Sequence, residues 1–169
     1  AADWPRAGAG GGAGGCIGRG GGAPSLAERP RVGRGGGEAG ADIVELGMPV
    51  SGPTAGGRAI QRASERALSA GATRPGGLGA LRELRAGGCD VPVVLFGYYN
   101  PILAYGEAEL ARDAAAAGVD GLLVVDLPPE EAAPLREPAT AAGLDLVPLV
   151  APTTGIERAR AVAAEATGF

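Results

Sequence analysis

The chain offers a short set of groups that could move a proton or hold a ligand, and each follows an apolar run. They are Glu45, Tyr98, Asn100, Asp126 and the pair Thr153-Thr154, in the stretches ELGMPVSGP, FGYYNPILAYG, VVDLPPEE and LVAPTTG. A carboxylate in an apolar mouth suits proton shuttling near neutrality, while Tyr and Asn can hydrogen-bond a ligand hydroxyl or ring. The alternatives are limited, because all 15 cations are Arg and there is no His. Schiff-base lysine, an imidazole base and a His-rich metal site are therefore excluded, and acid–base work falls to Asp, Glu, Tyr or water. Plainer roles stay open for each residue. Glu45 could pair with an Arg or close the strand end, Asp126 could cap the helix that follows it, and Tyr98 and Tyr99 could be packing.

These residues need elements to position them. Glu45 stands in a short strand over 42–46, followed by a Gly/Pro/Ser/Thr loop over 47–57 and a helix from Arg58 to Ala70. Ile60, Ala63 and Ala67 share one face of that helix, Arg62, Glu65 and Arg66 lie outside it, and Gly71 ends it. Leu78, Leu81 and Leu84 mark a second short helix stopped at Gly87-Gly88. The run 91–96, VPVVLF, reads as a strand buried on both faces. A loop over Gly97–Tyr105 and a helix over Glu107–Ala117 follow. A strand over 121–125, a tight loop from Asp126, and a helix over Glu130–Ala142 come next, with Pro134 and Pro138 locally distorting or breaking the helix. Last come a strand over 144–150 and a helix over Ile156–Ala166 with Ala159, Val162, Ala163 and Ala166 inward. Strands alternating with helices predict an α/β fold with a parallel sheet, and ligand groups gather where such strands end. Four βα units are half of a (β/α)₈ barrel, whose full form needs about 250 residues. An open sheet of that size has two unpaired edges, so the chain alone is expected to be poorly stable.

Composition adds further bounds. Gly accounts for 32 of 169 residues, and residues 1–37 hold runs such as GAGGGAGG and GRGGG. Such sequence gains too little burial to offset its ordering entropy, so 1–37 is expected to be disordered and 38–169 to form the domain. An RGG-like RNA tail is the functional alternative for that segment, but aromatic interleaving is absent beyond Trp4. The net charge of −4 argues against nucleic acid as a partner. Cys16 and Cys89 are far apart and belong to no CxxC pair, so neither a zinc site nor a disulfide framework is expected. No apolar run of ~18 residues is present, and no apolar signal segment, so a soluble, cytoplasmic protein without membrane contact is expected.

Longer motifs carry more. EAGADIVELGMPVSGP, IQRASERAL, GYYNPI with YG, GVDGLLVVDLPPEE and LVAPTT follow one another over residues 38–169. In this order the chain resembles the α subunits of tryptophan synthase. The resemblance implies a TIM barrel, here partial, and a carbon–carbon lyase of tryptophan biosynthesis. That enzyme cleaves indole-3-glycerol phosphate to indole and glyceraldehyde 3-phosphate. It further implies a β-subunit partner in a heterotetramer, with pyridoxal phosphate in that partner and no cofactor or metal in this chain. Glu45, within ELGMP, matches the family's proton shuttle. Tyr98 and Asn100 match its GYxN loop beside the substrate, and Phe96, Leu123 and Val125 fall where apolar residues line the indole pocket. Asp126 matches an aspartate near the route to the β subunit, and Pro49 and Pro53 match the loop that meets it.

The resemblance is broken at one chemically important point. The family's second loop reads about PFSDPxADGP, whereas this chain has PVSGPTAGGR, with Gly52 and Gly56 at the two aspartate positions. Gly56 replaces the carboxylate that holds the indole N–H. Residues 1–37 do not match the family's first strand, and its Gly- and Ser-rich phosphate loops do not occur before Phe169. Impaired cleavage by the chain as written is therefore expected. The alternatives are a non-catalytic partial barrel kept as a binding or assembly piece, or another phosphate-handling barrel enzyme.

Overall fold

The computed structural model describes residues 42–51, 58–69 and 74–168. The Gly-rich segment 1–37, with its expected disorder, lies outside them, as do Gly52, Pro53 and Gly56. In chain order the elements are β1 (Val44–Gly47), α1 (Arg58–Ser69), α2 (Arg74–Ala86), β2 (Val93–Gly97), α3 (Tyr99–Tyr105), α4 (Glu107–Ala117), β3 (Gly121–Val124), a 3₁₀ turn (Pro129–Glu131), α5 (Ala133–Ala141), β4 (Asp145–Val147) and α6 (Ile156–Glu165).

The four strands are parallel and lie in the order β1-β2-β3-β4. Each strand is laid beside its predecessor with no reversal, so no topological switch point divides the sheet. That stepping is the barrel type of winding rather than the doubly wound type. Alternation within the strands separates two faces. Val44, Leu95, Leu122, Val124 and Leu146 pack with the helices, against Leu81, Leu84, Ile102, Leu110 and Leu135. Val94, Leu123 and Val147 form a smaller cluster on the opposite face. Ala111, Ala114 and Ala117 on α4 are at most 2% exposed. Their short side chains let α4 pack closely against the flanking helices α2 and α5, which suits the Ala-rich core.

Local departures from the expected elements have identifiable causes. α3 occupies most of the span expected as a loop. Pro101 lies in its first turn, where the missing N–H has no helical partner to lose, so GYYNPI starts a helix despite its turn-like composition. α2 begins at Arg74, four residues ahead of Leu78, for a similar reason: Pro75 falls in the first turn. β4 stops at Val147, short of 150, because Pro148 has no N–H to give. The helix expected over 130–142, distorted or broken at its prolines, is divided into the 3₁₀ turn and α5, with Pro134 in the first turn and Pro138 inside α5. On α6, Val162 is buried but Ala163 is exposed, and Arg66 on α1 is half-buried rather than outside. β4's outer edge is also not bare. The Leu146 N–H donates to Thr167 Oγ1 at 2.8 Å, and the Thr167 N–H donates back to the Leu146 carbonyl at 3.4 Å.

One side chain ties the opposite, amino-terminal end of the sheet together. Arg85, in the last turn of α2, donates to the Gly118 carbonyl from Nε (3.0 Å) and Nη2 (2.8 Å). Its Nη1 donates to the carbonyls of Cys89 (2.7 Å) and Val91 (2.8 Å), and Nη2 meets Asp120 Oδ2 at 2.6 Å. Asp120 Oδ2 also accepts the Val93 N–H at 2.8 Å. Gly118 ends α4 at φ +87°, and a Cβ there would stand 2.8 Å from Arg85 Cγ. Gly118→Ala therefore meets a left-handed backbone and a crowded partner together, and is expected to cost about 1–3 kcal/mol. Urea unfolding measures this, and a loss under about 0.5 kcal/mol would show that the turn relaxes freely.

Candidate active site

The carboxyl ends of four parallel strands form one rim, and the β1–β2–β3 ladder is continued there by three further bonds. The Met48 N–H donates to the Phe96 carbonyl at 2.8 Å and the Val125 N–H to the Gly97 carbonyl at 3.0 Å. The third uses a side chain: the Tyr99 N–H donates to Asp126 Oδ1 at 2.7 Å. Asp126 thus grips the first turn of α3, the helix before it in the chain, rather than capping the helix that follows. An anionic acceptor at a helix N-terminus also meets the favourable end of the helix dipole.

Register decides which side chains share a face. Glu45 pairs with Val94, Gly47 with Phe96, Phe96 with Leu123, and Leu123 with Val147. Partnered residues in parallel strands point the same way, so Glu45 lies on the face of the Val94–Leu123–Val147 cluster. Ile43, Phe96 and Val125 pack against that cluster. The structure therefore brings Glu45, Phe96, Leu123 and Val125 to one apolar face, with Glu45 half-buried. Glu45 is the second residue of β1, which runs on to Gly47.

The polar residues form a second tier at the rim. Tyr98 is half-buried at the N-cap of α3, and Asn100 is exposed in its first turn. Asp126 is exposed one residue beyond Val125, and Pro49 is half-buried just past β1. Thr153 is exposed on the loop after β4, whereas Thr154 Oγ1 accepts the Ala151 N–H at 3.1 Å and serves to close that loop.

Two residues escaped sequence reasoning. Glu107 accepts the Tyr99 hydroxyl, and nothing in its sequence context at the start of α4 separates it from an ordinary N-terminal charge. Asp145 is only 4% exposed and lies on the Glu45 face, paired with the side-chain-free Gly121. Its signal was legible as a lone charge within LDLVPLV. No helix among the described residues is long and apolar enough to cross a membrane.

Comparison with known proteins agrees with the parallel, sequentially ordered sheet. The family model for the tryptophan synthase alpha chain matches residues 21–169, so the match takes in the later part of the Gly-rich segment. The alpha chain of Geobacter sulfurreducens is 53% identical over 148 residues, covering 88% of this chain and 56% of its own. That of Gluconacetobacter diazotrophicus is 54% identical over 131 residues, covering 78% and 48%. Among solved structures, one of the tryptophan synthase α2β2 complex of Pyrococcus furiosus superposes with a TM-score of 0.82 at 36% identity, over 88% of this chain and 62% of that one. The Legionella pneumophila alpha chain gives 0.72 at 39%, over 85% and 52%. The chain spans about half the length of the curated relatives it matches. Its sequential parallel sheet is accordingly part of a TIM barrel, and the chain belongs to the tryptophan synthase alpha chain family.

Proposed function

We propose that this chain acts as a carbon–carbon lyase on indole-3-glycerol phosphate, releasing indole and glyceraldehyde 3-phosphate. The observation that carries the reading is the placement of Glu45 on the apolar face shared by Phe96, Leu123 and Val125. A planar apolar ring packed on that face would lie beside a carboxylate. The cleavage is a reverse aldol step. The ring carbon takes a proton as the carbon–carbon bond breaks, and the adjacent glycerol hydroxyl loses its proton as it becomes the aldehyde. Glu45 delivers the first proton and draws off the second, so it ends in its starting state. Tyr98 and Asn100 meet the polar part of the substrate from the rim.

The step needs no cofactor in this chain, and pyridoxal phosphate belongs to the β partner that consumes indole. Support for that partner comes from the Pyrococcus furiosus relative, which assembles as an α2β2 complex. Leu149 and Val150, 52% and 49% exposed just past β4, offer apolar surface on the same rim for docking, with the half-buried Pro49 and, by the family resemblance, Pro53, which lies outside the described residues, as further candidates. A cytoplasmic location is part of this reading.

The test is indole release from indole-3-glycerol phosphate by the purified chain, alone and with a tryptophan synthase β subunit. Measurable release that rises when the β subunit is added is expected. Indole binding with no release under either condition would favour a non-catalytic binding piece instead, and Gly56 at the usual aspartate position is what gives that second reading weight.

A further inference from the structure

Tyr99 is gripped by carboxylates from two other elements. Its amide donates to Asp126 Oδ1 at the exit of β3, and its hydroxyl donates to Oε1 of Glu107, the first residue of α4. Gly106, at φ +98°, turns the chain between the two helices so that the second bond can close. The hydrogen bond to Glu107, then burial, then the charges of Glu107 and Glu131 push the phenol up to about 12. The phenol therefore keeps its proton, and its role as donor, throughout the neutral range. A second clasp of the same spacing, from the Tyr105 hydroxyl to Asp113 Oδ2 at 2.7 Å, holds the other end of α3.

α3 has only 7 residues, too few to be stable as an isolated helix. Its one fully buried residue is Ile102, and the half-buried rings of Tyr99 and Tyr105 pack against the same core. Apolar packing is non-directional and tolerates small rolls of so short a helix, so the polar grips on Tyr99, directly between Tyr98 and Asn100, fix the rotation of the first turn. We propose that Tyr99 and Glu107 are positioning residues, which set the rotation of α3's first turn and thereby aim Asn100 at the ligand without touching it. The identity of the ligand rests on the function proposed above, whereas the positioning itself does not.

The 169-residue chain is compared with its Tyr99→Phe, Glu107→Ala, Glu107→Gln and Tyr99→Phe/Glu107→Ala variants, with indole as the probe. Two readouts are taken well below the unfolding temperature: the side-chain amide NMR signal of Asn100, and indole affinity by titration. Tyr99→Phe and Glu107→Ala are each expected to move the Asn100 signal and weaken indole binding roughly fivefold, since only part of the worth of one hydrogen bond to a charged acceptor is felt at the ligand. The double variant should be no worse than either single one, because both remove the same bond. Glu107→Gln keeps an oxygen that accepts the phenol, and is expected to bind within about twofold of the parent. A bond that only stabilised the fold would leave both readouts unmoved. An Asn100 signal unchanged in Tyr99→Phe overturns the proposal. If no form binds indole, the ligand assignment falls, and the Asn100 signal alone still decides the positioning.

Discussion

Arg85→Ala is expected to destabilise the protein by about 3–5 kcal/mol, the usual cost of removing one partner from a partly buried charged network. All five guanidinium N–H groups are used, on the carbonyls of Cys89, Val91 and Gly118 and on Asp120. The two side chains are 22% and 28% exposed, so water could re-solvate what is left only in part. Removal leaves three carbonyls short of a donor and Asp120 without its counter-charge. Arg85→Lys should recover little, because a single ammonium cannot reach acceptors on two sides of a planar fork. The neighbouring Arg112–Asp113 pair supplies the control. Arg112 is 68% exposed there, and Arg112→Ala should stay within about 0.5 kcal/mol. Urea midpoints decide the matter. An Arg85→Ala loss under about 1 kcal/mol would show that these bonds form no network and that the loops refill from solvent.

That network also marks where sequence reading stopped. Wherever burial dictated the pattern, the elements were legible: VPVVLF and GLLVV are apolar runs typical of strands covered on both faces, and strands form there. The apolar tier of the site, Phe96, Leu123 and Val125, was legible only through the family resemblance, because the register that sets them on the face of Glu45 joins separate strands. What stayed hidden depends on partners far apart in sequence. Arg85 reaches Asp120 across 35 positions, and Asp126 reaches back 27 to the amide of Tyr99. No periodicity encodes such a contact, and Asp126 read equally well as a cap for the following helix. GYYNPI misled for a different reason. Gly, Asn and Pro signal a turn, but the first turn of a helix tolerates the same residues because its N–H groups have no carbonyl to meet. The expected bare sheet edge was also wrong at Leu146, since nothing in ATGF announces that Thr167 will pair with it.

The largest expected effect concerns Glu45 and depends on Gly56. Under the proposed mechanism one group moves protons and another stabilises the positive charge that develops on the indole nitrogen. Glu45→Gln removes the first and should lower indole release by about 10²–10⁴, the range for losing a positioned general acid or base. The fold should survive, because Glu45 and Gln fill similar space on a half-buried strand position. The second group is missing from the start. The resemblance implies an aspartate where this chain has Gly56, and glycine has no side chain to offer the nitrogen. An absent preorganised electrostatic partner costs on the order of 10²–10³. Gly56→Asp should therefore raise the rate at least tenfold, and Glu45→Gln in the same chain should erase that gain. Such dependence is expected because a stabilised charge helps only if a proton arrives to create it. Rates of indole release for the parent, both single variants and the double variant test this as a cycle. Gain from Gly56→Asp that persists without Glu45 would mean that another acid serves the ring carbon. Asp145, buried on the same face, would then be the first residue to replace.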